Sequence, residues 1–191
     1  MYAAVAMDSA PPQAIEVVDY DRAWPEQFAA LRARLLPGLG AGARIEHVGS
    51  TAVPGLAAKP VIDLDVVVPS AADVPPAIVQ LGRLGYRHRG DLGIPGREAF
   101  TSPQGLPAHH LYLCAAGSTA LQNHLAVRDR LRADPGLAQR YAILKRRLAQ
   151  ESADQPAAYG AGKTGFLVAL LREAGLPQEA LAAIRAANLR G

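Results

Sequence analysis

Two aspartates, Asp63 and Asp65, interrupt an otherwise apolar run, VIDLDVVV, at residues 61–68. Side chains alternate along a strand, so residues i and i+2 point the same way, with Cα atoms roughly 6.5–7 Å apart. The run therefore predicts a strand with Val61, Asp63, Asp65 and Val67 on one face and Ile62, Leu64, Val66 and Val68, all core, on the other. Two carboxylates this close repel and are costly to desolvate unless a cation sits between them. A Mg2+ ion held by one or two carboxylates, with phosphate oxygens completing its octahedron, is such a cation. The competing reading is an edge strand whose aspartates face water. Just upstream, residues 45–48 predict a short buried strand that runs into Gly49, Ser50 and Thr51. The backbone N–H groups and hydroxyl of such a turn suit a phosphate. Lys59, ahead of the acidic strand, is placed to neutralise that phosphate as a point charge, unless it is a solvent-facing loop lysine. These are the parts of a metal-dependent nucleotide site, with Asp63 and Asp65 as metal ligands and catalytic residues.

The elements that must hold these residues follow from periodicity. Residues 15–20 read as an extended segment, and Asp21 as a cap for a helix opened by Trp24-Pro25-Glu26 and carrying Phe28, Leu31 and Leu35 at helical spacing. A second helix spans residues 75–84 and stops at Gly85. Strands are predicted at residues 86–89, 97–101 and 109–115, giving four or five in all. From Ser118 the pattern becomes helical: residues 120–132, then from Asp134-Pro135 to about 151, then about 156–174. The second of these shows an apolar stripe of Leu137, Tyr141, Leu144 and Leu148. The fold class is α/β (α+β): a small mixed sheet with flanking helices, followed by a C-terminal helical bundle. Residues 1–14 read as a loose tail, 15–175 as a single domain (sheet core about 15–117, helical half 118–175), and 176–191 as an extra helix. That helix packs either on the bundle or on a second copy of the chain, as a homodimer.

Composition bounds the function. The chain has 191 residues, half of them apolar and 19% charged, as a globular domain requires. A net charge of +3, with the basic residues at 128–147 interleaved with Leu and Ala, argues for a solvated helix face and against a nucleic-acid partner. No apolar run reaches the ~18 residues of a membrane span, and residues 1–13 lack the pattern of a secretory signal. One cysteine, Cys114, fits a reducing cytoplasm and reads as a buried thiol.

The block EHVGSTAVPGLAAKPVIDLDVVV, residues 46–68, resembles the signature of the GrpB family, which is placed in the nucleotidyltransferase-like superfamily. IEVVDYDRAWPEQF at residues 15–28, PAHHLYL at 107–113, and the segments 124–149 and 158–167 continue the resemblance over about residues 15–172. It implies a nucleotidyltransferase-like sheet. The superfamily's Gly-Ser followed by Asp-x-Asp is matched by Gly49-Ser50 and Asp63-x-Asp65. Superfamily enzymes usually add a third acid on a later strand, and residues 109–113 carry none. Tyr159, Lys163 and Arg128 occupy family-like positions, from which basic side chains would either close over a ligand or make surface salt bridges. Some relatives of this domain occur attached to a dephospho-CoA kinase, which implies an accessory role for those.

His110 and Tyr112 share a strand face and are expected to line the cleft opposite the aspartates, with His110 binding phosphate or acting as a base, unless it is a satisfied structural histidine. His47, His109 and His110 do not suggest zinc, because adjacent histidines on a strand face opposite ways and no Cys pair accompanies them. Residues 160–164, GAGKT, are not a P-loop: position 157 is Ala and no strand precedes it. Two functions remain. One is transfer of a nucleotidyl group from a nucleoside triphosphate with Mg2+ to an acceptor the sequence does not name. The other is a module that binds a nucleotide or other phosphorylated small molecule without turnover.

Overall fold

Trp24, Leu31 and Leu35 fall on one face of the first helix, α1 (Trp24–Leu35), and Pro25 opens it where a missing N–H costs nothing. Asp21 Oδ1 accepts a hydrogen bond from the Ala23 N–H at 2.8 Å, just ahead of that start. This computed structural model describes residues 15–152 and 155–190, the side chains of 187–190 excepted. The tail expected at residues 1–14 lies outside the described residues.

The strand β1 (Arg44–Val48) runs antiparallel to β2 (Ile62–Val68), the acidic run. After β2 come α2 (Val74–Arg83), β3 (Arg87–His88), β4 (Arg97–Thr101) and β5 (His109–Ala115). The five strands form one mixed sheet in the order β1-β2-β5-β4-β3, with β2 and β5 parallel. β2 is therefore interior to the sheet, and the edge-strand reading fails. Its apolar face packs as expected: Ile62, Leu64, Val66 and Val68 join Leu31, Leu35 and Leu81 in one buried cluster beneath α1 and α2.

The acidic face is covered too. Four helices follow the sheet: α3 (Thr119–Ala133), α4 (Pro135–Glu151), α5 (Pro156–Glu173) and α6 (Gln178–Arg190). Ser118 and Asp134 cap α3 and α4 through the N–H groups of Leu121 and Leu137. α3 lies over this face, where Ala120 and Leu121 bury Val67 and Cys114. The α4 stripe buries Leu137, Tyr141 and Leu148, with Leu144 partly buried. α6 packs on the bundle, with Leu181 buried in the same cluster as Leu171 and Tyr141. Leu181→Ala is expected to cost about 2–3 kcal/mol and to release the amides of α6 first. Hydrogen exchange checks this: unchanged α6 protection would show that the helix is not anchored there. Among the described residues no helix is long and apolar enough to cross a membrane.

Candidate functional site

The site is built where β1 turns into the chain leading to β2. Gly49 has φ 69° and ψ −168°, a conformation essentially reserved for glycine. It is also crowded, since a Cβ there would lie 2.2 Å from Asp63 Oδ2. Residues 50–52 then make a single 3-10 turn. Thr51 is buried and hydrogen-bonded to His47 Nε2 at 3.0 Å. Burial, reinforced by Arg132, lowers the His47 pKa to about 4, so this imidazole is neutral near pH 7.

Register sets what faces the aspartates. Asp63 lies beside His110, and Asp65 beside Tyr112 on one side and Glu46 on the other. His110 Nδ1 donates to Asp63 Oδ1 at 2.8 Å, and that bond raises the His110 pKa. Asp65 is fully buried, and His124 Nδ1 on α3 sits 2.9 and 3.1 Å from its two oxygens.

Two adjoining cavities, of about 330 and 260 Å3, lie between this face and the helical half. Both are lined by Ser50, Asp63, Tyr112 and Lys163. The first adds Thr51, Lys59 and His110, and the second adds Gly49. The structure thus brings together Gly49, Ser50, Thr51, Lys59, Asp63, His110, Tyr112 and Lys163. Asp65 lines neither cavity, because α3 roofs it and its carboxylate is taken up by His124.

Lys145 of α4 also lines the first cavity, although its side chain is almost wholly buried. Its ammonium donates to the Ala57 carbonyl and lies 4.7 Å above the Tyr141 ring. Burial first, and the neighbouring Lys163 second, pull its pKa down to about 7, against the pull of Asp63. Lys163 stands 4.3 Å above the Tyr159 ring, and burial lowers its pKa as well. Sequence reasoning passed over Lys145 and His124, yet both carry a signal. Lys145 falls four residues after Tyr141 and three before Leu148, on the apolar stripe; His124 follows Leu121 by three on the buried face of α3.

For Arg128 the salt-bridging alternative holds, and it lines neither cavity. It donates to Glu46 Oε2 at 2.8 Å and to the His47 carbonyl at 3.1 Å, tying α3 to β1. Glu98 is on the opposite face of the sheet and bonds His88 Nε2 at 2.6 Å. Among the described residues, Asp63 is the one carboxylate lining the two cavities. His109 points to the other side of β5, bonded to the Tyr86 hydroxyl. Residues 160–164 lie inside α5, with no strand before them, so they form no phosphate loop. Cys114 is buried, and burial pushes its pKa up to about 12.

A family model described as GrpB protein matches residues 14–173. The chain is 36% identical over 158 residues to the UPF0157 protein YqkA of Bacillus subtilis, covering 82% of this chain and 46% of that one. It thus spans about half the length of that relative. Among solved structures, the conserved protein GrpB from Enterococcus faecalis matches with a TM-score of 0.74 and 34% identity, over 83% of this chain and 96% of that one. The Cid1 poly(U) polymerase with MgGTP bound matches with a TM-score of 0.52 and 18% identity, over 78% of this chain and 50% of the polymerase. At that identity the likeness is one of fold alone, a nucleotidyltransferase-like fold.

Proposed function

The chain belongs to the GrpB family and has a nucleotidyltransferase-like fold, and from that premise we propose that it binds a nucleoside triphosphate and transfers a nucleotidyl group to an acceptor. The observation that carries this reading is the charge of the first cavity, where Lys59, Lys145 and Lys163 face a single carboxylate, Asp63. Partly desolvated ammonium groups in excess over anions favour a polyanionic ligand. The turn at Gly49 and Ser50 offers N–H groups and a hydroxyl to the β- and γ-phosphates, and the lysines take up their charge.

Mg2+ suits one position here. Asp63 is partly exposed to the cavity and supplies hard oxygen, and Mg2+ is commonly held by as little as one carboxylate plus phosphates. Asp65 is enclosed and instead fixes His124. When bound, Mg2+ supplies Lewis-acid polarisation of the phosphate. A cytoplasmic setting suits both the free Cys114 and a nucleotide ligand.

A panel of nucleoside triphosphates, with and without Mg2+, tests the reading by thermal shift. At ~100 times its dissociation constant a ligand adds about 2.7 kcal/mol. The shift is expected for the wild type with Mg2+ and lost in Asp63→Asn; no shift with any nucleotide would overturn the reading. The second reading, a binding module without turnover, is favoured by the placement of Glu98 on the far face and the enclosure of Asp65. A nucleotide shift without Mg2+-dependent pyrophosphate release selects it.

A further inference from the structure

A third cavity, of about 540 Å3, lies between residues 93–95, the start of α3, and α6. Its walls are apolar, made by Ile94, Pro95, Ala120, Ala180, Ala183 and Ile184. The alanines of α6 leave the space, since larger side chains at these positions would occupy it. Polar groups gather where α3 borders it, at Thr119, Asn123 and His124. Asn123, His124 and Ile184 also line the second cavity, which Asp63, Ser50 and Lys163 share. The third cavity is thus continuous in its lining with the phosphate side of the site.

The His124 ring is held through Nδ1 by both oxygens of a fully buried carboxylate, so its orientation is fixed. Its Nε2 has no protein hydrogen-bond partner among the described residues. An imidazole anchored this way, at the meeting of an anion-binding cavity and an apolar one, is set to bond a polar group on a ligand in the apolar one. Glu179 in the lining disfavours an anionic occupant.

We propose that this cavity binds the acceptor: a small, uncharged alcohol with an apolar body, seated against Ile94 and Ala183, its hydroxyl bonded to Asn123 and His124. The volume matches a small-molecule site, apolar with a few placed polar groups. The role as acceptor rests on the triphosphate reading above, whereas the binding site itself does not: in that role the alcohol oxygen would bond the α-phosphorus as its bond to the β-phosphate oxygen breaks, pyrophosphate leaving and the hydroxyl proton passing to His124 Nε2.

The experiment uses 2-phenylethanol and ethylbenzene as probes of the full chain, titrated by NMR. The alcohol is expected to bind about 3–10 times tighter than the hydrocarbon, the value of one hydrogen bond. In the wild type its ring protons should show nuclear Overhauser contacts to the methyl groups of Ile94 and Ala183. Ala183→Trp and Ile94→Trp, which fill the cavity from opposite walls, should each weaken the alcohol by about tenfold or more while the nucleotide-induced thermal shift persists. The proposal is overturned if the alcohol does not bind the wild type, if its contacts map elsewhere, if ethylbenzene binds as well, or if both folded variants bind the alcohol unchanged. Alcohol binding as expected with no nucleotide shift in the wild type keeps the site and removes its role as acceptor.

Discussion

Lys145→Met is expected to abolish the nucleotide-induced thermal shift and, at the same time, to stabilise the unliganded protein. The ammonium of Lys145 is buried with one carbonyl, that of Ala57, as its acceptor. Methionine keeps the volume and the contact with Tyr141 but removes the desolvated charge. Losing the donor to Ala57 costs about 1–3 kcal/mol. Relief of the charge is larger near neutral pH, because each pKa unit corresponds to about 1.4 kcal/mol and the shift runs from 10.5 to about 7. We expect a net gain of roughly 1–3 kcal/mol, in line with other replacements of buried ions by apolar groups. The pH dependence has a definite sign. Between about 7 and 10.5 the unfolded chain keeps a proton on Lys145 that the folded chain has released, so wild-type stability rises with pH across that window. Below about 7 both states carry the proton and the burial penalty is full. The advantage of methionine should therefore be greatest below about pH 7 and disappear toward 10.5. Denaturant unfolding of both proteins across this range checks it. A Lys145→Met protein less stable than the wild type throughout would instead make the ammonium a structural tie to Ala57.

Gly49→Ala should be the most damaging change at the turn after β1. The backbone conformation alone costs a non-glycine residue about 1–3 kcal/mol. The added methyl would also meet Asp63 at its Oδ2, 2.2 Å away, and its Cβ, 2.9 Å away. Asp63 must then shift and give up its bond from His110. A total loss of about 3–5 kcal/mol is expected, together with the nucleotide shift. Removing the obstructing side chain in Asp63→Gly should leave mainly the backbone cost of the alanine. The double variant is thus predicted to be about 1–2 kcal/mol more stable than additivity allows. Strict additivity in urea unfolding would show that the two residues do not press on each other.

The elements were legible because local rules govern them. Alternation marked β2, and Ser118, Asp134 and Pro135 marked helix starts that the structure bears out. Asp63, His110 and Tyr112 were legible as candidates from strand alternation, and the Gly49 turn and Lys59 from the family-like block at residues 46–68. What escaped was the contribution of the helices. Asp65 looked equivalent to Asp63 by spacing, but which aspartate reaches the cavity depends on α3, whose His124 is 59 positions away in sequence. Lys145 resembled any solvated lysine of a basic helix until α4 packed with that face inward. Position along the chain does not decide between a ligand and a salt bridge for Arg128, whose side chain is drawn to Glu46 on β1. In each case periodicity gives the face of the element, and tertiary packing decides what that face meets.

The bond between Lys145 and Ala57 has a consequence for how the molecule comes into being. It joins positions 88 residues apart, so a ribosome must finish most of the chain before the pocket exists. A nascent polypeptide halted after β5 would display the Gly49 turn and Asp63 but lack two of the three lysines that face them. A phosphate-bearing ligand of the kind proposed would consequently have little to hold on partial products. It would recognise, and through its binding energy retain, only chains whose synthesis has passed Lys163.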